Sequence, residues 1–349
     1  MSDTTGGSAR ILVPGSAQAR VPRTPDRRAT PGRRLWYCFQ ESRPAVQVMF
    51  LLRFGCGVLL VGLGLGGVSA QEASRAVAAG AGWALATLYT YLVNGVEDVT
   101  EDRINAVGRP ISRGDLDPGD ALLVARACAL LAIGAAWWAG EEVFAATAVY
   151  LALGHLYSVP PARLAATPAG ALTVVLGGVG LTYVAGGLAL GAAPRGEGSA
   201  FVVVMILWTT LVGATVKDLS DLLGDEAGGR RPLAARWGPW VLRRAIAGVA
   251  LALGAAMLVA GAVWPVLLPS GAVLLAGAVV VAVRLLRRAP LGGAVPVDGA
   301  AAVDGAAPVD DVVPVDDAVR RRAGRRPYRA FMVTQFAVHL TLLASIALS

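Results

Sequence analysis

The chain has 349 residues, of which 55% are hydrophobic and 16% charged, and its formal net charge is +7. So apolar a composition excludes an ordinary soluble domain and indicates an all-α polytopic membrane protein with the lipid bilayer as its partner. Lys217 is the only lysine, so the basic excess is arginine, and where it falls matters more than its sum.

Residues 1–34, most of the segment 1–40 before the first span, are polar and rich in Pro, Arg and Thr, and lack the apolar core of a secretory signal. The segment is expected to form a disordered basic cytoplasmic tail, with no nucleic-acid partner. Apolar runs follow at 44–68, 76–97, 119–139, 142–158, 168–191, 199–217, 239–262, 264–285 and 329–348. They predict a bundle of nine transmembrane helices, eight of them within residues 41–289 and the last within 328–349. Cys38, Cys56 and Cys128 are odd in number and have neither metal nor redox spacing, so they are read as small packing residues. Residues 290–327 repeat Val-Pro-Val-Asp-Gly imperfectly, which predicts a low-complexity cytoplasmic loop.

Arginine sets the orientation. Arg27, Arg28, Arg33 and Arg34 precede the first span, and Arg103, Arg109 and Arg113 follow the second. Arg163 follows the fourth, Lys217, Arg230, Arg231 and Arg236 the sixth, and Arg320 to Arg322 precede the last. The intervening connections are nearly bare, so the basic side is cytoplasmic and the N-terminus lies inside. The expected location is a bacterial cell membrane.

Two acidic clusters fall on that cytoplasmic side, each where an apolar run ends. In Asn94-Gly-Val-Glu-Asp98-Val-Thr-Glu-Asp102 the oxygen-bearing residues are spaced i, i+4, i+8, along one helical face. In Lys217-Asp218-Leu-Ser-Asp221-Leu-Leu-Gly-Asp225 the aspartates fall at i, i+3, i+7, again on one face. An Asp within a transmembrane segment is costly, about 2.5–3.5 kcal/mol at the centre. Two facing ladders of oxygen donors suit a pair of Mg²⁺ ions that share a diphosphate with the protein. The alternative is solvated carboxylates or helix-end ion pairs with the nearby arginines. Two clusters on one side, each followed by basic residues, weigh against it.

Asn94 to Gly114, with Asp98, Asp102, Asn105, Arg109 and Pro110, resembles the first signature of the UbiA superfamily of intramembrane prenyltransferases. Lys217 to Asp225 resembles the second signature. Tyr157-Ser158-Val-Pro160-Pro161-Ala-Arg163-Leu164 and Arg43-Pro44 resemble two further recurrent stretches. The resemblance covers about residues 40–348 and implies a nine-helix bundle. It further implies Mg²⁺ held by Asn94, Asp98 and Asp102 on one side and by Asp221 and Asp225, supported by Asp218, on the other. Asp98, Asp102, Asp221 and Asp225 would be the residues on which catalysis depends most. Arg43, Tyr157, Ser158, Arg163 and Lys217 would bind diphosphate oxygens, and Arg109 would either do the same or order its loop. The chain departs from the pattern at Ala165, where the family often has Lys, and at Arg231-Pro232-Leu233.

The implied reaction transfers an isoprenyl group from a prenyl diphosphate to a small acceptor, expected to be aromatic. A terpene cyclase of the same superfamily is the alternative. A non-catalytic isoprenoid carrier is a third reading, disfavoured because no ligand carboxylate is missing. Tyr89, Tyr91, Tyr183 and Trp208 are read as packing residues before cation stabilisers, and His155 as a structural hydrogen-bonding group.

Overall fold

The computed structural model describes residues 30–104, 108–219, 237–287 and 317–348, and among these every regular element is helical. The order is α1 Pro31–Glu41, α2 Pro44–Gly62, α3 Ala70–Glu97, α4 Val99–Ile104, α5 Pro110–Arg113, α6 Pro118–Ala139, α7 Glu141–Ser158 and α8 Pro168–Leu188. Then come α9 Glu197–Leu207, prolonged through a π-helical turn Trp208–Ala214 to Leu219, α10 Pro239–Val263, α11 Leu268–Leu286 and α12 Asp317–Leu348.

Local chemistry fixes the starts. Pro31, Pro44, Pro118 and Pro168 stand in the first turns of their helices, where a missing N–H costs nothing. Thr30, Asp117 and Thr167 accept from the backbone as N-caps, and Ser69 and Glu72 form a reciprocal capping box on α3.

Among the described residues eight helices are long and apolar enough to cross a membrane. The fourth expected span, 142–158, is helical as α7 but falls outside that group. It has 18 residues, opens with Glu141 and Glu142 and carries His155, which lower its hydropathy. It nevertheless packs between α3, α6 and α8. Two boundaries differ from expectation. The tail read as disordered to residue 40 is helical from Pro31, because Thr30 caps it and Cys38 and Glu41 are buried against the bundle. The segment read as a loop to residue 327 is helical from Asp317, since the Pro and Gly repeats end at Pro314 and an Ala-Val-Arg run leads into the last span. Residues 1–29 and 288–316 lie outside the described residues.

α2 and α8 form the seam of the bundle. One core, with Trp83, Phe54 and Tyr150, joins them to α3, α6 and α7; the other, with Phe201, Trp208, Met257 and Leu274, joins them to α9–α12. The seam is close because it is built of glycine. A Cβ on Gly57 would stand 2.0 Å from the Tyr183 carbonyl oxygen, and one on Gly186 2.1 Å from that of Phe54. Small residues at such crossings let backbones approach where no hydrophobic drive operates between helices. Outside, Leu130 is 75% and Trp137 70% exposed, a surface suited to lipid rather than water. The cysteines are all buried and free, and burial pushes the Cys38 thiol up to about 11, consistent with packing rather than reactivity.

Gly57→Val and Gly186→Val should each destabilise the protein by about 1–3 kcal/mol or more, the cost of overpacking. Thermal unfolding of the detergent-solubilised chain checks this, with Gly134→Ala, which meets no neighbour within 4 Å, as the unaffected control.

Candidate active site

The site is built from helix ends. α3 carries Asn94 in its last turn and stops at Asp98, whose backbone leaves the helical region at φ −93°, ψ 14°. The hydrogen-bond ladder nevertheless runs on: Asp98 N donates to Asn94 O and Asp102 N to Asp98 O, each at 2.9 Å. The three expected oxygen donors therefore remain in succession, with a bend at the middle one. All three are buried.

Asn94 is the hub. Arg43 Nη2 donates to its Oδ1 at 3.0 Å, and its Nδ2 donates to Asp98 Oδ2 at 2.8 Å and Ser158 Oγ at 3.4 Å. That joins the start of α2, the end of α3 and the end of α7. Arg43 sits before Pro44 with φ 61°, a left-handed conformation costly for a non-glycine residue, and its guanidinium lies 5.2 Å over the Tyr91 ring. Arg163 is the other described non-glycine residue at positive φ. Both strained arginines flank this one site, where such strain tends to be kept.

A cavity of about 230 Å³ opens here. Arg43, Asn94, Asp98 and Tyr157 line it together with Lys217 and Asp218, so the two acidic clusters reach one chamber. Asp221 and Asp225 lie outside the described residues. Beyond its polar end the wall is mostly apolar and aromatic, with Phe50, Tyr91, Tyr150, Leu153, Val175 and Val179, and carries Arg53, Thr209 and Gln335. Tyr91 lies on this wall, whereas Tyr183 and Trp208 are fully buried in the core and Tyr89 meets His155 Nδ1 at 3.1 Å.

The remaining expected residues stand behind the wall. Asp102 is paired with Arg109, whose Nη1 is also 3.4 Å from Glu41 Oε1. Glu41, wholly buried, accepts from Ile111 N at 2.9 Å. The contacts of Arg109 to Asp102 and Glu41 tie the start of α5 to α4 and α1. Arg163 Nη2 donates to Glu101 Oε1 at 2.6 Å, and Ser158 is 2% exposed, reaching the chamber through Asn94. Sequence reasoning passed over Glu41 and Glu101. Glu41, two residues before Arg43 and the first span, was a visible signal, since a carboxylate there needs a counter-charge.

The donors facing the chamber, Asn94 Oδ1 and the Asp98 and Asp218 carboxylates, are all oxygen, the set a hard divalent cation takes while retaining water. Among the described residues no group of three His, Cys, Asp or Glu side chains converges. These donors therefore fit part of one coordination shell.

The sequence profile described as the UbiA prenyltransferase family matches residues 56–294, well over half of the chain. A digeranylgeranylglyceryl phosphate synthase of Methanopyrus kandleri is 30% identical over 246 residues, 67% of this chain and 84% of that protein. A homogentisate phytyltransferase of Synechocystis sp. is 29% identical over 193 residues, 53% of this chain and 63% of that protein. The solved structure of a UbiA homolog from Archaeoglobus fulgidus bound to GPP and Mg²⁺ shares the fold, with a TM-score of 0.57 at 18% identity over 87% of this chain and 99% of that one. With a helical membrane fold, two acidic helix ends on one chamber and this profile match, the chain belongs to the UbiA prenyltransferase family.

Proposed function

We propose that the protein is a Mg²⁺-dependent intramembrane prenyltransferase that moves an isoprenyl group from a prenyl diphosphate to an aromatic acceptor. The observation that carries this reading is the division of the chamber. One end gathers Arg43, Asn94, Asp98, Tyr157, Lys217 and Asp218, and most of the rest is apolar and aromatic, interrupted by Arg53, Thr209 and Gln335. A molecule with a multiply charged head and a hydrocarbon tail matches that division. The relatives named above are a synthase and a transferase, which favours transfer over cyclisation.

Asn94, Asp98 and Asp218 would hold Mg²⁺ together with Asp221 and Asp225. When bound, the metal supplies Lewis-acid neutralisation of the diphosphate leaving group. The chain's own contribution begins with Arg43 and Lys217, whose fixed positive charges hold the diphosphate at the polar end and stabilise the charge it gains as the allylic carbon–oxygen bond breaks. Tyr157 adds a hydroxyl donor at the same end. The wall of Phe50, Tyr91, Tyr150 and Leu153 excludes water from the allylic carbon, so the acceptor captures it instead. Holding the acceptor ring against that carbon turns a two-body encounter into a local one. Arg109 and Arg163 act at a distance, keeping α4 and the α7–α8 connection in place through Asp102 and Glu101.

The active site is proposed to face the cytoplasm, on the side of the arginine-rich connections.

Asp98→Ala, Asp218→Ala and Asp221→Ala should each lower turnover by a factor of about 10² to 10³ or more, and chelation of Mg²⁺ should abolish it. The assay is mass spectrometry of products from geranylgeranyl diphosphate with a panel of phenolic acceptors. Normal turnover by purified Asp98→Ala would remove the metal assignment. A cyclic hydrocarbon or alcohol formed from the diphosphate alone would replace transfer with cyclisation.

Arg109→Gln leaves Asp102 and Glu41 buried without their counter-charge, a change that typically costs about 3–5 kcal/mol. Thermal unfolding in detergent should show that loss. Arg163→Gln, at a side chain about a third exposed, should show a smaller one.

A further inference from the structure

The outer surface of the bundle carries one charge well away from any helix end. On α6, Leu123, Arg126 and Leu130 fall at i, i+3 and i+7 on one face. All three are exposed, the leucines at 66% and 75%. Arg126 stands eight residues past Pro118, about 12 Å into the span at 1.5 Å per residue. The other exposed arginines of the spans, Arg75, Arg244, Arg284, Arg326 and Arg329, lie within five residues of a span's end. Among the described residues no carboxylate pairs with Arg126. Asp120, the acid nearest it in sequence, is held by Arg34 of α1 at 3.4 Å. A cation on a lipid-facing stripe has to find its counter-charge at the membrane surface, since hydrocarbon offers none.

Two polar side chains stand beside it on neighbouring helices. Tyr89 of α3 is within electrostatic reach of Arg126, and its hydroxyl meets His155 Nδ1 of α7 at 3.1 Å. α3, α6 and α7 pack on one another, so Arg126, Tyr89 and His155 form a row across three helices. None of the three lines the chamber. Whichever atom holds the proton that tyrosine and histidine share, the pair keeps one further proton to donate, on His155 Nε2 or on the Tyr89 oxygen. Helical side chains lean toward the N-terminus of their helix, so Arg126 reaches back toward the start of α6, where Ala121 packs with Leu92 near the end of α3. Asn94 lies five residues past Tyr89 and Ser158 three past His155. The row therefore sits about 5–8 Å below the polar end of the chamber, on the outside of the bundle.

We infer that Arg126, Tyr89 and His155 bind the phosphate of an anionic glycerophospholipid. The guanidinium fork matches two phosphate oxygens, and the Tyr89–His155 pair donates to another. A zwitterionic lipid brings its own cation to its phosphate, whereas a head group of net negative charge compensates Arg126. The acyl chains then run down the face that carries Leu123 and Leu130. A lipid so held braces the ends of α3 and α7, where Asn94 and Ser158 meet. The site depends on neither the substrate nor the reaction proposed above.

The test is equilibrium binding to the purified full chain in detergent, read by native mass spectrometry. The probes are phosphatidylglycerol and phosphatidylcholine with identical acyl chains, and inorganic phosphate is the competitor. The wild-type chain should bind phosphatidylglycerol saturably and about fivefold or more tightly than phosphatidylcholine. Excess inorganic phosphate should not displace it. Arg126→Leu, which suits a lipid-facing position, should erase the ratio. Tyr89→Phe combined with His155→Leu removes the other donors and should lower it by about twofold or more, which carries the test if Arg126→Leu fails to fold. Arg75→Leu takes one exposed charge from the opposite end of α3 and should leave the ratio unchanged. The assignment is overturned if phosphatidylglycerol is not preferred, or if the ratio survives Arg126→Leu or the double substitution. It is also overturned if Arg75→Leu lowers the ratio as much as Arg126→Leu, or if inorganic phosphate displaces the lipid.

Discussion

A charge withdrawn from water inside an apolar bundle has to find its partner within the protein, and this requirement organises the end of α3. Asn94, Asp98, Glu101 and Asp102 follow one another within nine residues, all buried. Asn94 meets Arg43 before α2 and Ser158 at the end of α7, Glu101 meets Arg163 after α7 and Asp102 meets Arg109 before α5, while Asp98 accepts from Asn94. Glu41 at the end of α1 then closes the circle through Arg109 and the Ile111 amide. Gly95 permits it, since a Cβ there would stand 2.5 Å from Glu41 Oε1. Elements far apart in sequence are gathered by these polar contacts at one level of the bundle.

The same obligations sort the charges into two groups. Arg109 and Arg163 are paired with Asp102 and Glu101 behind the chamber wall, as the scaffold of the proposed site. Arg43, Lys217, Asp98 and Asp218 line the chamber. Removing one partner of a buried pair exposes the other to the full desolvation penalty. The scaffold therefore resists substitution for reasons separate from catalysis.

Much of this was legible in the sequence because it depends on period and punctuation. Runs of about 20 apolar residues located the long helices, though α3 begins six and α12 twelve residues before the expected starts, and residues of both acidic clusters line the chamber. The spacing of Asn94, Asp98 and Asp102 did not reveal that Asp98 ends α3 and that Asp102 turns to Arg109, because a C-cap and an ion pair depend on what arrives from elsewhere. Pro31–Glu41 was misread for a related reason: its polar composition resembles a free tail, yet Cys38 and Glu41 find burial against α3, α5 and α6. Arg53 was invisible in an apolar run, since nothing local distinguishes a cation lining a chamber from one reaching toward the interface.

The π-helical turn Trp208–Ala214 has its own geometric effect on α9. In a plain α-helix Thr209 and Lys217, eight residues apart, would point about 80° away from each other. A wide turn absorbs one additional residue and brings the two directions to within about 20°. Thr209, beside Arg53, and Lys217, at the polar end, thus look into one chamber from a single helix. Gly213, inside the same turn, leaves the space that the Phe331 ring of α12 fills. Straightening this turn into plain α-helix at unchanged length would spin the downstream end of α9 by about 100°. Lys217 and Asp218 would swing away from the diphosphate end, although every side chain that touches ligand would still be encoded.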